Sequence, residues 1–154
     1  MRGIYKIYIK GDIKVDNKVK KYLQGYETAL YEKKCAEEEL EEYYTNIIST
    51  STVLDGMPKS ENTKTDLSKY MHKLDKLKKK YIKKRYLAVK KAEEIINVIN
   101  RLDCISEKKV LKLRYIKLEK WEEIVEKMEG YSERQVYSIH GNALKKLQIP
   151  KSLQ

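Results

Sequence analysis

Arg134 and Gln135 stand side by side near the start of the stretch SERQVYSIHGNALKKL, residues 132–147. A guanidinium can make two parallel hydrogen bonds to the edge of a guanine, and a carboxamide can do the same to an adenine. Ser132, Glu133, Tyr137, Ser138, His140 and Asn142 share the polar side of the same stretch. Lys145 and Lys146 close it with two cations suited to backbone phosphate, and Lys117 and Lys120 stand upstream where they could hold the adjacent strand. This set predicts a surface that reads duplex DNA. Bond-making chemistry has no comparable set. Cys35 and Cys104 lack metal-ligand spacing, His72 and His140 are isolated, and no acid–base pair or nucleophile constellation is visible. The chain is therefore not expected to be an enzyme or to use a metal or cofactor.

The polar set needs a rigid support, and the apolar residues predict one. Val136, Ile139, Ala143, Leu144 and Leu147 recur at steps of three, four, one and three, which makes one buried face of a helix. Ser132 is placed to cap its start, and Pro150 to stop it. Gly130-Tyr131 reads as the turn before it, with Gly130 supplying a positive φ. Trp121, Ile124, Val125 and Met128 repeat along a preceding helix. A further helix carries Val110, Leu111, Leu113, Tyr115 and Ile116, with Ser106 as its expected cap and Lys117–Lys120 as its exit turn. Residues 104–149 are thus expected to form a three-helix helix-turn-helix module, followed by a tail at 150–154.

Everything before it reads as the holder. Val19, Tyr22/Leu23, Tyr26, Ala29/Leu30, Ala36, Leu40, Tyr43 and Ile47 form a seam close to a heptad repeat, with Lys33 its one polar member. A second seam runs through Leu67, Tyr70/Met71, Leu74, Leu77, Tyr81, Ala88, Ala92, Ile95, Val98/Ile99 and Leu102. Between them lies a stretch with Gly56, Pro58 and Asn62, a loop near residues 53–65. Thr65 or Asp66 is the expected cap of the second helix. Two long helices joined by one loop predict an antiparallel, coiled-coil-like hairpin over residues 16–103. The charges agree. Glu37, Glu38, Glu39, Glu41 and Glu42 would lie beside Lys69, Lys73, Lys76, Lys78, Lys79, Lys80, Lys83, Lys84 and Arg85. The run KKKYIKKR at 78–85 could bind nucleic acid itself, or be a solvated face that complements those glutamates. Tyr31, Tyr44, Ile48, Ile82, Tyr86, Leu87 and Val89 fall off the seams. They need cover, which predicts a homodimer through the hairpin. Residues 1–15, rich in Ile and Tyr, are either a loose arm or a strand that pairs with a partner's.

The totals are consistent with this division. Of 154 residues, 41% are hydrophobic and 37% charged, Pro numbers 2 and Phe is absent, a composition of long exposed helices and not of a many-turned β fold. A formal net charge of +11 favours a polyanionic partner. No apolar run approaches the ~20 residues of a membrane span. A secretory leader's apolar core is missing too, which predicts no membrane association, a cytoplasmic location and reduced thiols.

The C-terminal residues resemble a known family. Val110-Leu111-x-Leu113-Arg114-Tyr115, Trp121-x-x-Ile124, Tyr131-Ser132, Val136-x-x-Ile139 and Ala143-Leu144-x-Lys146-Leu147 are similar to region 4 of the sigma-70-type factors, which reads the −35 promoter element. With Leu54-Asp55-Gly56-Met57-Pro58-x-Ser60 between two long helices, the chain over residues 17–147 resembles phage late-gene regulators of the ArpU/RinA type. That resemblance implies an all-α fold, transcriptional control in a phage or prophage, double-stranded DNA as partner, and RNA polymerase as a further one. The chain departs from the pattern in three ways. Its reading helix is less basic, Leu118-Glu119 replaces the usual glycine turn before Trp121, and nothing corresponds to the region that melts a −10 element. Two alternatives stay open: a small terminase subunit-like DNA-packaging protein, and a polymerase-interacting protein that does not read DNA.

Overall fold

The computed structural model describes residues 17–53 and 63–149 and is all-helical, with no strand among the described residues. The expected N-terminal arm, most of the expected loop with its Leu54–Ser60 motif, and the tail from Pro150 lie outside the described residues. Five helices follow in order: α1 (Asn17–Val53), α2 (Thr63–Asn100), α3 (Ile105–Tyr115), α4 (Trp121–Lys127) and α5 (Glu133–Lys146). None is long and apolar enough to cross a membrane.

The described residues divide into two compact units, and α1 and α2 each contribute to both. Residues 24–97 form one. Ala36, Leu74, Leu77, Ala88 and Ile95 are its buried positions, all on the expected seams. Polar contacts between its helices pair rising numbers in α1 with falling numbers in α2. Lys84 Nζ donates to Glu32, Tyr81 Oη to Glu37 at 2.9 Å, Lys80 Nζ to Glu39, and Tyr43 Oη to the Tyr70 carbonyl at 3.3 Å. Each exposed ion pair of this kind adds only ~0–1 kcal/mol, so the set fixes register more than stability. Lys33, the polar seam residue, is half-buried, bonds Glu37 at 2.8 Å and lies 5.8 Å from the Tyr81 ring. Together with Tyr81 it holds the Glu37 carboxyl below the ordinary carboxylate range.

The other unit joins α1 up to Leu23 and α2 from Val98 with α3, α4 and α5. Val110, Leu113, Ile124, Met128 and Val136 make a core cluster, each at most 5% exposed, with Trp121, Val125 and Ile139 packed on it. Leu111, Ala143, Leu144 and Leu147 are buried as well, as are Val19, Tyr22 and Leu23 from α1 and Val98, Ile99 and Leu102 around the end of α2. The cluster draws one apolar stripe from each of α3, α4 and α5, which is why three short helices that could not persist alone in water are stable here.

The helix ends follow local chemistry, with two corrections. α2 begins at Thr63, so Thr65 and Asp66, the expected caps, lie inside it. Ser106 does not cap α3. Cys104 takes the cap position with extended backbone and no side-chain bond. Ser106 instead sits in the first turn, and its hydroxyl bonds the Tyr131 hydroxyl at 2.9 Å. Lys109 Nζ donates to the Lys127 carbonyl at 2.7 Å, which fastens α3 to the end of α4. The chain leaves α3 through Leu118, a non-glycine residue at φ 56°, and leaves α4 through Gly130 at φ 81°. Both turns need the left-handed region, and only the second uses the residue that adopts it without steric cost.

Candidate nucleic-acid interface

α5 is the element on which the candidate site is built. Its inner side carries Val136, Ala143 and Leu144, which are buried, and Ile139, which is partly buried. Its start is held by a reciprocal cap. Gln135 N–H donates to Ser132 Oγ at 3.4 Å, while Ser132 N–H donates to Gln135 Oε1 at 2.7 Å and Ser132 Oγ–H to the same oxygen at 2.9 Å. That arrangement satisfies two of the orphan donors of the first turn.

On the outer side, Arg134, Ser138, Asn142 and Lys145 follow at i, i+4, i+8 and i+11. Arg134, Asn142 and Lys145 are exposed and Ser138 is exposed as well. They form one stripe along the helix. Arg134 is at its N-terminal end, where a helix laid into a major groove presents side chains to base edges. Lys145 is at the far end, where a cation meets phosphate. Lys117 and Lys120 are exposed before α4, and the Lys120 main-chain N–H donates to Glu123 at 3.2 Å to start that helix. Glu133 is exposed in the first turn of α5, beside the stripe and not on it.

Four residues expected on the reading side have other partners, Ser132 among them through the cap. Gln135 spends its carbonyl oxygen on the cap just described. Tyr137 is half-buried against Trp121, with ring centroids 4.6 Å apart and a tilt of 48°. Lys146 Nζ bonds Glu107 Oε1 at 2.7 Å. Glu107 is only 5% exposed, and its second oxygen is buried without a hydrogen-bond partner among the described residues. Lys146 is therefore the charge that makes a buried carboxylate tolerable, and its own pKa is raised chiefly by that bond.

His140 is likewise not on the outer side. It is partly buried, with Nε2 3.1 Å from the Tyr115 hydroxyl and its ring stacked at 5.8 Å on Tyr115. Trp121 meets it edge-on at 5.0 Å. Burial, then the Lys20 and Arg114 charges, push its pKa down to about 4, so it is neutral at pH 7. Spacing did not single out Arg114. Its guanidinium lies 5.2 Å from the Trp121 ring centroid and donates to the Glu119 carbonyl at 2.8 Å. The Trp121–Tyr137–His140–Arg114 group thus braces the side of α5 between core and stripe. Arg114 and Trp121 belong to the motif of the resemblance, but no sequence signal pointed to their contact with Tyr137 and His140. Against known family models, curated proteins and solved structures, the chain has no match.

Proposed function

We propose that this chain is a DNA-binding transcriptional regulator of the phage or prophage late-gene type. In this reading α3–α5 act as a sigma region 4-like helix-turn-helix, and α1 with α2 as an antiparallel hairpin that pairs two copies. The observation that carries it is the stripe Arg134, Ser138, Asn142 and Lys145. It is one row of exposed donors, acceptors and cations on a helix whose opposite side is fully committed to a core. Base-edge contact belongs to Arg134, with Ser138 and Asn142 behind it, and phosphate contact to Lys145, Lys117 and Lys120. Pairing of copies is supported by Ile82, Tyr86 and Val89 on α2, which are 63%, 64% and 52% exposed at i, i+4 and i+7. Doubling a module of modest charge raises its effective concentration on a two-fold site.

Selection of bound sequences from random duplex DNA, with the mass in solution measured alongside, tests this. A defined half-site repeated with two-fold symmetry and a dimer mass are expected. No enrichment would sink the DNA reading, and a ring of many copies would favour the packaging alternative.

A further inference from the structure

Unit 24–97 sorts its lysines into two groups, and only one group has partners among the described residues. Lys80 and Lys84 bond Glu39 and Glu32. Lys73 lies 4.7 Å from the Tyr43 ring centroid and Lys78 5.4 Å from that of Tyr44. All four are thus tied to α1. Lys76, Lys79, Lys83 and Lys90 are exposed and make no ion pair, hydrogen bond or ring contact among the described residues. Lys76, Lys83 and Lys90 repeat every seven residues, and Lys79 lies between the first two. They therefore share one face of α2, turned away from the face that meets α1. No acidic residue lies in that row between Lys76 and Lys90, and Glu94, one turn beyond Lys90, is paired with Lys91 at 3.2 Å. Tyr86, 64% exposed, sits beside it one turn after Lys83.

Four uncompensated ammonium groups in one row repel one another, so an acidic partner outside the chain would stabilise them. From Lys76 to Lys90 the row spans ~21 Å at ~1.5 Å per residue. Over that length a DNA duplex presents about one charge per ~1.7 Å, more than enough to engage all four. The row lacks a base-reading pattern. Compact ammonium groups on flexible stems meet phosphate as point charges and carry no sequence preference.

We infer that the outer face of α2, through Lys76, Lys79, Lys83 and Lys90, is a second DNA-contacting surface that binds backbone phosphate without regard to sequence. The inference rests on the proposal that the protein binds duplex DNA, but not on α5 being the reader. Its action is to add affinity and salt sensitivity, while specificity stays with α5.

The test compares the full-length protein with the variant Lys76→Gln/Lys79→Gln/Lys83→Gln/Lys90→Gln. Glutamine keeps helix propensity at exposed positions, so folding is preserved, and circular dichroism verifies it. Affinity for an arbitrary duplex and for the selected duplex is measured across salt concentrations. The slope of log affinity against log salt should become shallower by about two to four units on both duplexes, at ~0.9 for each phosphate no longer neutralised. The preference between the two duplexes should not change. The double variant Lys76→Gln/Lys83→Gln should move the slope about half as far. A charge-neutral control, Lys80→Gln/Glu39→Gln, should leave it unmoved. An unchanged slope in the fourfold variant overturns the inference, as does an absence of duplex binding by the unaltered protein. So does loss of binding to phosphatidylserine vesicles with duplex binding intact, which would assign the row to a membrane surface. If the unaltered protein binds DNA without sequence preference and the fourfold variant still flattens the slope, the α5 reading fails and the α2 surface stands.

Discussion

Lys145 and Lys146 are neighbours of the same type with different environments. Lys145 is exposed and makes no ion pair among the described residues, whereas Lys146 neutralises a buried carboxylate. Lys146→Ala should lower the denaturant midpoint, because it strands the buried Glu107 carboxylate. Lys145→Ala should leave stability within about 0.5 kcal/mol and lower the salt slope of DNA binding by about one unit. Denaturant midpoints and binding isotherms on the two variants separate these roles, and equal effects would contradict the assignment. His140 gives the second prediction at this scale. Its folded pKa, about 4, lies below the ordinary value of 6.5. The unfolded chain therefore takes up a proton first as pH falls. The stability contributed by the neutral ring is complete above pH ~6.5 and is lost toward pH ~4, by up to about 3 kcal/mol. Denaturant midpoints at a pH of about 7.5, 6 and 4.5 should fall in that order, and a flat profile over this window would show that the ring does not stay neutral. Spacing alone could not separate Lys145 from Lys146, since the partner that distinguishes them lies at Glu107 on another helix. The cap was legible in Ser132 alone: Gln135 reads as a base-edge contact, although a Ser three residues before a Gln at a helix start is the signature of a reciprocal cap.

At the scale of elements, the two turns of the C-terminal unit are the informative pair. Helix existence was readable from apolar periodicity, and α3, α4 and α5 fall on the expected stretches. Helix starts were less readable. Ser106 was the better cap by residue type, yet the backbone turns at Cys104, because burial of Glu107, Val110 and Leu111 sets where α3 begins. Gly130 meets the requirement for a positive φ, and Leu118 meets the same requirement with a side chain that crowds the backbone. A Cβ at Gly130 would have open space around it, so Gly130→Ala should cost about 1–2 kcal/mol through backbone conformation alone. Leu118→Gly should gain up to about 1 kcal/mol, the relief of strain being partly offset by the entropy of glycine in the unfolded chain. Thermal or denaturant unfolding of the two variants should move in opposite directions. Movement in the same direction would mean that packing, not the turn backbone, governs these positions.

For the whole molecule, the outstanding question is what the long helices serve. The seams were legible in large part because they are periodic, although Tyr70 and Met71 on the second are exposed. Of the expected glutamate–lysine match, the inter-helix ion pair seen among the described residues is Lys80–Glu39, while Lys84 pairs with Glu32. The division into units was not legible. The start of α1 and the end of α2 belong with the C-terminal helices, a grouping that depends on long-range packing of Val19, Leu23, Val98 and Ile99 and not on any local boundary signal. The proposed pairing of copies makes a direct prediction. Replacing Ile82, Tyr86 and Val89 together by Gln should convert a dimer to a monomer in light scattering without loss of helicity, and an unchanged mass would place the interface elsewhere. If the outer stripe of α5 reads DNA, Arg134 is the side chain on which that reading depends most. Its decisive measurement is the affinity of Arg134→Ala for the selected duplex and for the same duplex changed at each position in turn. A loss of about 1–3 kcal/mol is expected on the selected duplex, together with loss of discrimination at one or two adjacent base pairs and little change elsewhere. Undiminished affinity with every base preference intact would contradict a reading role for α5.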